Sequence, residues 1–298
     1  MLIRKSGVVK VHQATWLLRL MTVLAPFACG PLIGTALADR SRDVQVTGTS
    51  SAWVIWGITL LAAAVPHPVS LTAIRITGPA LGLGSFVAAV TDPAPDWLTG
   101  VGVATALVVA VLSCTAWFAD DAVDARSYGD EQRFTLATPG ALILGPVPLA
   151  WLVIVATAVG GPLLLAARSW LLGTVVVVIG GTLSWFAVRS LHSLATRFAV
   201  FVPAGLTLVD PMVLADAVLF PRRRIVALAP ALRDTTGRDL SQGARGLALE
   251  VHLDAPAELT IRTGRTEAEA TSVDSVVFTP SRPGAVLNAA KQRSIRVN

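Results

Sequence analysis

Three aspartates form the densest chemical pattern in the chain. Asp120, Asp121 and Asp124 stand in the spacing DDxxD. Hard oxygen ligands spaced in this way can hold Mg²⁺ against a diphosphate. A metal-dependent transferase of that kind faces two such motifs across a cleft and adds basic residues for the phosphates. This chain has one copy, so the same residues also read as a solvated acidic loop capping helix ends. That second reading is adopted here. No catalytic residue and no cofactor is assigned, and Asp120, Asp121 and Asp124 stand as the single metal candidate.

The basic cluster Arg222, Arg223 and Arg224 follows Pro221 at a strand junction. Near a membrane such a cluster can bind anionic headgroups, at about 1 kcal/mol per charge. It can equally be a charged patch that protects a strand edge. It is the candidate for lipid or partner binding. Arg19 and Arg75 lie near the ends of apolar segments, where snorkelling to the headgroups costs less than burial. The four histidines are scattered, and no HExxH, nucleophile-elbow or phosphate-loop pattern appears. Cys29 and Cys114 sit in apolar segments without a second ligand at metal spacing and read as small buried hydrophobes. The stretch from Asp120 to Pro139, which holds the only tyrosine, Tyr128, is long for a helix connection and could dock on a domain that follows.

The elements that must position these residues are mostly apolar. Hydrophobic residues make up 53% of the chain and charged residues 14%, against about 25% charged in ordinary globular chains. All eight tryptophans lie at or before Trp185. Between Leu142 and Arg189 the only charges are Arg168 and Arg189 itself, which leaves about 20 apolar residues on each side of Arg168, enough to cross a hydrocarbon core. Neither segment shows the polar stripe of a soluble helix. They are expected to form a transmembrane hairpin turning near Arg168.

Earlier apolar runs extend the pattern. Six spans are expected, over 16–38, 52–65, 70–90, 97–118, 142–166 and 169–189, making residues 1–190 a helical membrane domain. Asp39 to Ser51 reads as a polar loop. Ala52 to Val65 is short, so it reads either as a span or as a re-entrant segment, and the span is preferred. Gly30 and Gly34 form a small-xxx-small pair suited to close helix packing. Arg4, Lys5 and Lys10 before the first span, and Arg189, His192 and Arg197 after the last, place both termini in the cytoplasm of a bacterial inner membrane.

Residues 195–298 change character. Short alternating runs predict strands at 197–202, 204–209, 212–220, 224–228, 247–253, 257–262 and 272–279, with a turn at Asp254-Ala255-Pro256 and a helix over 284–292. The run Phe198-Ala199-Val200-Phe201-Val202-Pro203-Ala204-Gly205-Leu206-Thr207-Leu208, followed by Asp210-Pro211, and the closing Phe278-Thr279-Pro280, then Pro283 and a helix with Val286 and Leu287, resemble a bacterial PH-like domain appended to multi-pass membrane proteins. The resemblance covers about the last third of the chain. It implies a small bent β-barrel plugged by a C-terminal helix, and it implies no substrate.

The expected fold is therefore a membrane α-helical bundle followed by a small PH-like β domain. The expected function is non-enzymatic, with the tail binding a cytoplasmic protein partner or the inner lipid surface. A small-molecule transporter or channel subunit, using the Gly- and Pro-broken helices near Pro26, Pro31, Gly78-Pro79 and Pro146-Pro148, is the alternative. A transferase using Asp120, Asp121 and Asp124 is the third reading. Nucleic acid is not an expected partner, because the tail has no Trp or Tyr for stacking and its acidic residues nearly balance the basic ones.

Overall fold

In the computed structural model, which describes residues 12–92, 94–264 and 267–298, the chain divides into two compact units, Met1–Ala125 and Arg126–Asn298. The expected basic anchors Arg4, Lys5 and Lys10 lie outside the described residues.

The first unit is helical. Helices α1 (Gln13–Leu37), α2 (Arg42–Ala64), α3 (Pro68–Val90) and α4 (Trp97–Ser113) follow one another through short connections, and a short α5 (Ala116–Asp124) closes the unit. Small residues let the backbones approach, and side-chain hydrogen bonds cross between helices. A Cβ on Gly102 would stand 2.7 Å from the Ala28 carbonyl oxygen, so α4 can lie against α1 only with glycine there. Cys29 Sγ donates to the Gly102 carbonyl (3.3 Å), Trp56 Nε1 to the Thr22 carbonyl (2.8 Å), and Thr59 Oγ1 to Thr77 Oγ1 (2.8 Å).

Two expectations change here. Asp39 to Ser51 is not all loop, since α2 already starts at Arg42. Its first turns are polar, so composition hides them, and Asp43 in the first turn suits the positive end of the helix dipole. At 23 residues α2 spans about 34 Å and is long and apolar enough to cross a membrane, as the preferred reading of Ala52 to Val65 requires. The span expected over 97–118 breaks after Ser113, and α5 departs at 55°. Thr115 makes the break. Its hydroxyl donates back to the Leu112 carbonyl (2.8 Å) and accepts from Phe118 N (3.5 Å), so it ends one helix and caps the next.

The second unit starts with a strand. β1 (Gln132–Thr135) is followed by a helical hairpin: α6 (Gly140–Leu144), α7 (Pro146–Val155), a π turn (Ala156–Gly160) and α8 (Gly161–Ala166) form one limb, and α9 (Trp170–Ala195) the other. Pro162 has no N–H for the Ala158 carbonyl, and the chain widens into the π turn just before it. Arg168 turns the chain with φ 61°. The limbs close through glycines: a Cβ on Gly161 would meet Val177 at 2.7 Å, and one on Gly173 would meet Leu165 at 2.7 Å. With Pro146–Ala166 and α9, five helices among the described residues are long and apolar enough to cross a membrane, or six if the bent α4–α5 pair is one span.

After the hairpin come β2 (Phe198–Val202), β3 (Gly205–Val209), β4 (Val218–Pro221), a 3₁₀ turn (Arg222–Arg224), β5 (Ile225–Pro230), β6 (Arg238–Asp239), β7 (Leu249–Arg262), β8 (Ala268–Phe278) and helix α10 (Pro283–Gln292). One sheet has the order β1-β2-β3-β4 and the other β5-β7-β8-β6. Phe134, Phe201, Leu206, Phe220, Val251 and Phe278 share one apolar core with Val286, Ala289 and Ala290 of α10.

Three sequence expectations are corrected in this unit. The loop from Asp120 to Pro139 contains β1, which pairs antiparallel with β2 from Gln132↔Phe201 to Thr135↔Phe198. The proposed strand over 212–220 is largely a turn, because the Asp210 carboxylate and carbonyl bind the amides of Met212, Val213 and Leu214, leaving only Val218–Pro221 extended. The expected turn at Asp254 to Pro256 is a bulge within the single 14-residue strand β7, a position where proline's missing N–H is tolerated.

The β1–β2 pairing constrains the hairpin. Thr135 and Phe198 are partners across the ladder, so the two ends of the intervening helices are held side by side. The hairpin is an insertion between adjacent strands, and both its ends leave from the same end of the β1–β2 pair.

Candidate functional site

Asp120 and Asp121 are not in a solvated loop. They lie on α5 and are buried, at 5% and 8% exposure. Asp121 Oδ2 accepts the His12 amide (3.1 Å) and the Thr15 hydroxyl (2.6 Å), which caps the start of α1 from another helix. Asp120 supplies negative charge to Arg75 on α3. Asp124 is half-buried at the end of α5. Among the described residues no group of three or more His, Cys, Asp or Glu side chains is placed to hold a metal ion. The DDxxD spacing on a helix instead directs two carboxylates into one packed end of the first unit.

Arg19 is also engaged. Its Nε donates to the Ala63 carbonyl (2.9 Å) near the C-terminus of α2, and its guanidinium lies 4.9 Å from the Trp16 ring. His67 Nδ1 accepts Val69 N (3.1 Å) and caps α3. His252 lies 3.7 Å from Glu250, whose carboxylate also accepts the Thr235 hydroxyl (2.8 Å).

The Arg222–Arg224 cluster divides. Arg224 reaches back to the β7 bulge, donating to the carbonyls of Ala255 (2.9 Å) and Pro256 (2.8 Å) and approaching Asp254 (3.5 Å). Arg222 and Arg223 have exposed side chains. The cluster stands beside the β2–β3 turn, with Arg222 N bonded to the Ala204 carbonyl (2.8 Å). The hairpin leaves from the other end of β2, four residues away, or about 13 Å along the strand.

Two features escaped the sequence reading. Arg197, the first residue after α9 and its cap, is fully buried and grips Asp210 through two parallel bonds, Nε to Oδ1 at 2.8 Å and Nη2 to Oδ2 at 2.7 Å. It also donates to the Ala137 carbonyl (3.2 Å), which lies on the incoming side of the hairpin. One guanidinium therefore ties both feet of the hairpin to β3. The sequence signal was the lone arginine between an apolar helix and an apolar strand. The second feature is a cavity of about 130 Å³ between α1, α2 and α3, lined by Pro26, Cys29, Gly30, Gly34, Trp53 and Trp56 among others. Gly30 and Gly34 were expected to seat a neighbouring helix. A Cβ on either would meet nothing within 4 Å, so they border open space instead.

No family model, curated protein or solved structure matches this chain.

Proposed function

We propose that the chain is a multi-pass protein of the bacterial inner membrane, non-enzymatic, whose β domain presents a binding surface to a cytoplasmic protein partner. The observation that carries this is the anchorage of the β domain. Strand pairing of β1 with β2 and the buried Arg197–Asp210 pair hold both feet of the hairpin, so the domain is displayed in a fixed orientation on its own membrane segment. Rigid display serves recognition, because less ordering remains to be paid on binding. The exposed Arg222 and Arg223, at the strand end away from the hairpin, are the partner-facing charges. Two four-stranded sheets closed by a C-terminal helix in the core support the PH-like reading of this domain.

The test is photo-crosslinking in native membranes with a probe at Arg223, compared between the otherwise wild-type chain and an Arg222→Glu background. A single adduct that disappears on charge reversal is the expected result. Unchanged adducts in both would count against this surface. Deleting everything after Ser190 is the poorer experiment, because it strands β1 without its partner.

One observation favours a second reading. The cavity against Gly30 and Gly34 lies beside Pro26 in a helix that also carries Pro31, as a small-molecule site in a transporter or channel subunit would. Filling it with Gly30→Leu would then abolish uptake and leave partner crosslinking intact.

A further inference from the structure

The hairpin's first residues do not leave the β domain through empty space. Gly140, the first residue of α6, donates its amide to the Gly243 carbonyl (3.3 Å), and Pro139 forms an antiparallel bridge with Ala244. The Arg245 side chain lies along the same residue, with its Cγ 3.6 Å and its Nε 3.7 Å from where a Gly140 Cβ would be. The loop between β5 and β7 is therefore bonded to the foot of the hairpin.

That loop carries an apolar pair on its surface. β5 and β7 pair through Pro230↔Leu249, and Ala231 N continues the ladder to the Ala248 carbonyl (2.9 Å). One further step of this register sets Leu232 opposite Leu247. Leu232 is 72% exposed and Leu247 48% exposed. Arg233 and Arg245 flank them and are exposed, as are Arg238 and the acidic Asp234 and Asp239. Asp239 is partly engaged by the Ser241 amide (2.7 Å). Gln242, Gly243 and Gly246 take positive φ values of 53°, 69° and 130°, which fold the loop back against Pro139 and Gly140. Two leucines between arginines, on a loop bonded to the foot of the hairpin, form the pattern of an interfacial anchor.

We propose that the β5–β7 loop is a membrane-docking surface for the bilayer that holds the hairpin, with Leu232 and Leu247 inserted among the headgroups and Arg233 and Arg245 bound to anionic lipid phosphates. It rests on the reading of α7–α9 as a membrane span. The occupant follows from continuity, since the loop is hydrogen-bonded to Gly140, six residues before the span Pro146–Ala166 begins. The Arg222–Arg223 pair, about 13 Å away along β2, is left free for a protein.

The experiment uses the full chain with Cys29→Ala and Cys114→Ser, reconstituted in phosphatidylcholine vesicles containing phosphatidylglycerol. A fluorophore is attached in turn through Leu232→Cys, Leu247→Cys, Arg222→Cys and, in the hairpin, Val178→Cys. Quenching by lipids brominated near the headgroup or mid-chain is compared with quenching by aqueous iodide. The labels at positions 232 and 247 are expected to be quenched by the shallow brominated lipid and shielded from iodide, with blue-shifted emission. The label at 222 should respond to iodide only, and that at 178 to the mid-chain lipid. Arg233→Gln with Arg245→Gln should reduce the docked-to-undocked ratio about fivefold per arginine, and pure phosphatidylcholine should reproduce that loss. Iodide quenching at 232 and 247 equal to that at 222, with 178 still quenched by lipid, overturns the docking and spares the span. Loss of lipid quenching at 178 overturns both. The partner-crosslinking result bears on neither.

Discussion

The helical unit and the β domain are held together by different means. In the helical unit the closest contacts are made by the smallest groups: Gly102 under Ala28, Gly78 beside Ser113, and hydroxyls or an indole bonded to carbonyls or to another hydroxyl of the next helix. Many of its large side chains, such as Phe27, Leu61 and Phe86, are exposed, while Leu18, Leu71, Ile74 and Phe118 are buried. In the β domain the arrangement is reversed. Phe201, Phe220, Phe278, Leu206 and Leu228 are fully buried around one core, and the large apolar side chains left exposed are few, Leu219, Val226, Leu232 and Leu247 among them. On the proposed reading of the helical unit as membrane-embedded, the difference follows from solvent. Lipid tails offer large apolar groups no reason to leave, so helices associate by fit and hydrogen bonding. Water does, so the β domain buries its phenylalanines. The hairpin belongs to the first regime in composition, yet it is rooted in the second.

The sharpest way to break this contrast is at the root. Arg197→Met leaves Asp210 buried without its partner, and the expected loss is about 3–5 kcal/mol in the stability of the β domain. Hydrogen exchange of β2 and β3 amides in detergent would measure it. Arg197→Met combined with Asp210→Leu should recover most of that loss, because the pair is then replaced by apolar volume.

A smaller effect is expected inside the helical unit. Gly102→Leu places carbon against the Ala28 backbone and should cost about 1–3 kcal/mol, read as a lower melting temperature in detergent. Gly30→Leu faces open space and should leave the melting temperature unchanged. Equal losses at the two glycines would mean that the α1–α4 contact is not the tight one.

The smallest effect concerns pH. The Thr99 amide donates to Asp96 (2.9 Å) at the start of α4 and holds this carboxylate below its ordinary value of 3.8. A lowered folded-state pKa stabilises the charged form. The contribution is therefore complete above about pH 4 and is lost as pH falls through the folded-state value. Asp96→Asn should flatten that acid limb of the melting curve and lower the melting temperature at neutral pH, where the carboxylate's contribution is complete.

Much of the helical pattern was legible in the sequence, because 20 apolar residues without a polar stripe have few other fates. The ends of those helices were less so. The first turns of α2 are made of Arg42, Asp43, Gln45 and Thr47, which resemble a loop once they leave an apolar environment. β1 was hidden for another reason. Four residues, Gln132 to Thr135, carry no period of their own, and their partner strand lies some 60 positions later, beyond a complete hairpin. Asp254 to Pro256 has the composition of a turn, and it becomes a bulge only through pairing of β7 with β8, with Arg224 from another element bonded to its carbonyls. A helix sets Asp120 and Asp124, four positions apart, on one face, and Asp121 is engaged by α1, an interaction that no spacing in the sequence announces.

The central claim is that the hairpin is inserted between paired strands of one β domain. The direct measurement is disulfide trapping of Arg133→Cys with Val200→Cys, in the Cys29→Ala, Cys114→Ser background, with a protease site placed at the Arg168 turn. Because Arg133 and Val200 are cross-strand partners, mild oxidation followed by cleavage should leave the two fragments joined on a non-reducing gel and separate them on reduction. Val200→Cys with Thr207→Cys, partners between β2 and β3, controls for reactivity by losing its free thiols under the same oxidation. Fragments that separate without reduction, while the control pair oxidises, would contradict the insertion and return β1 to a connecting loop.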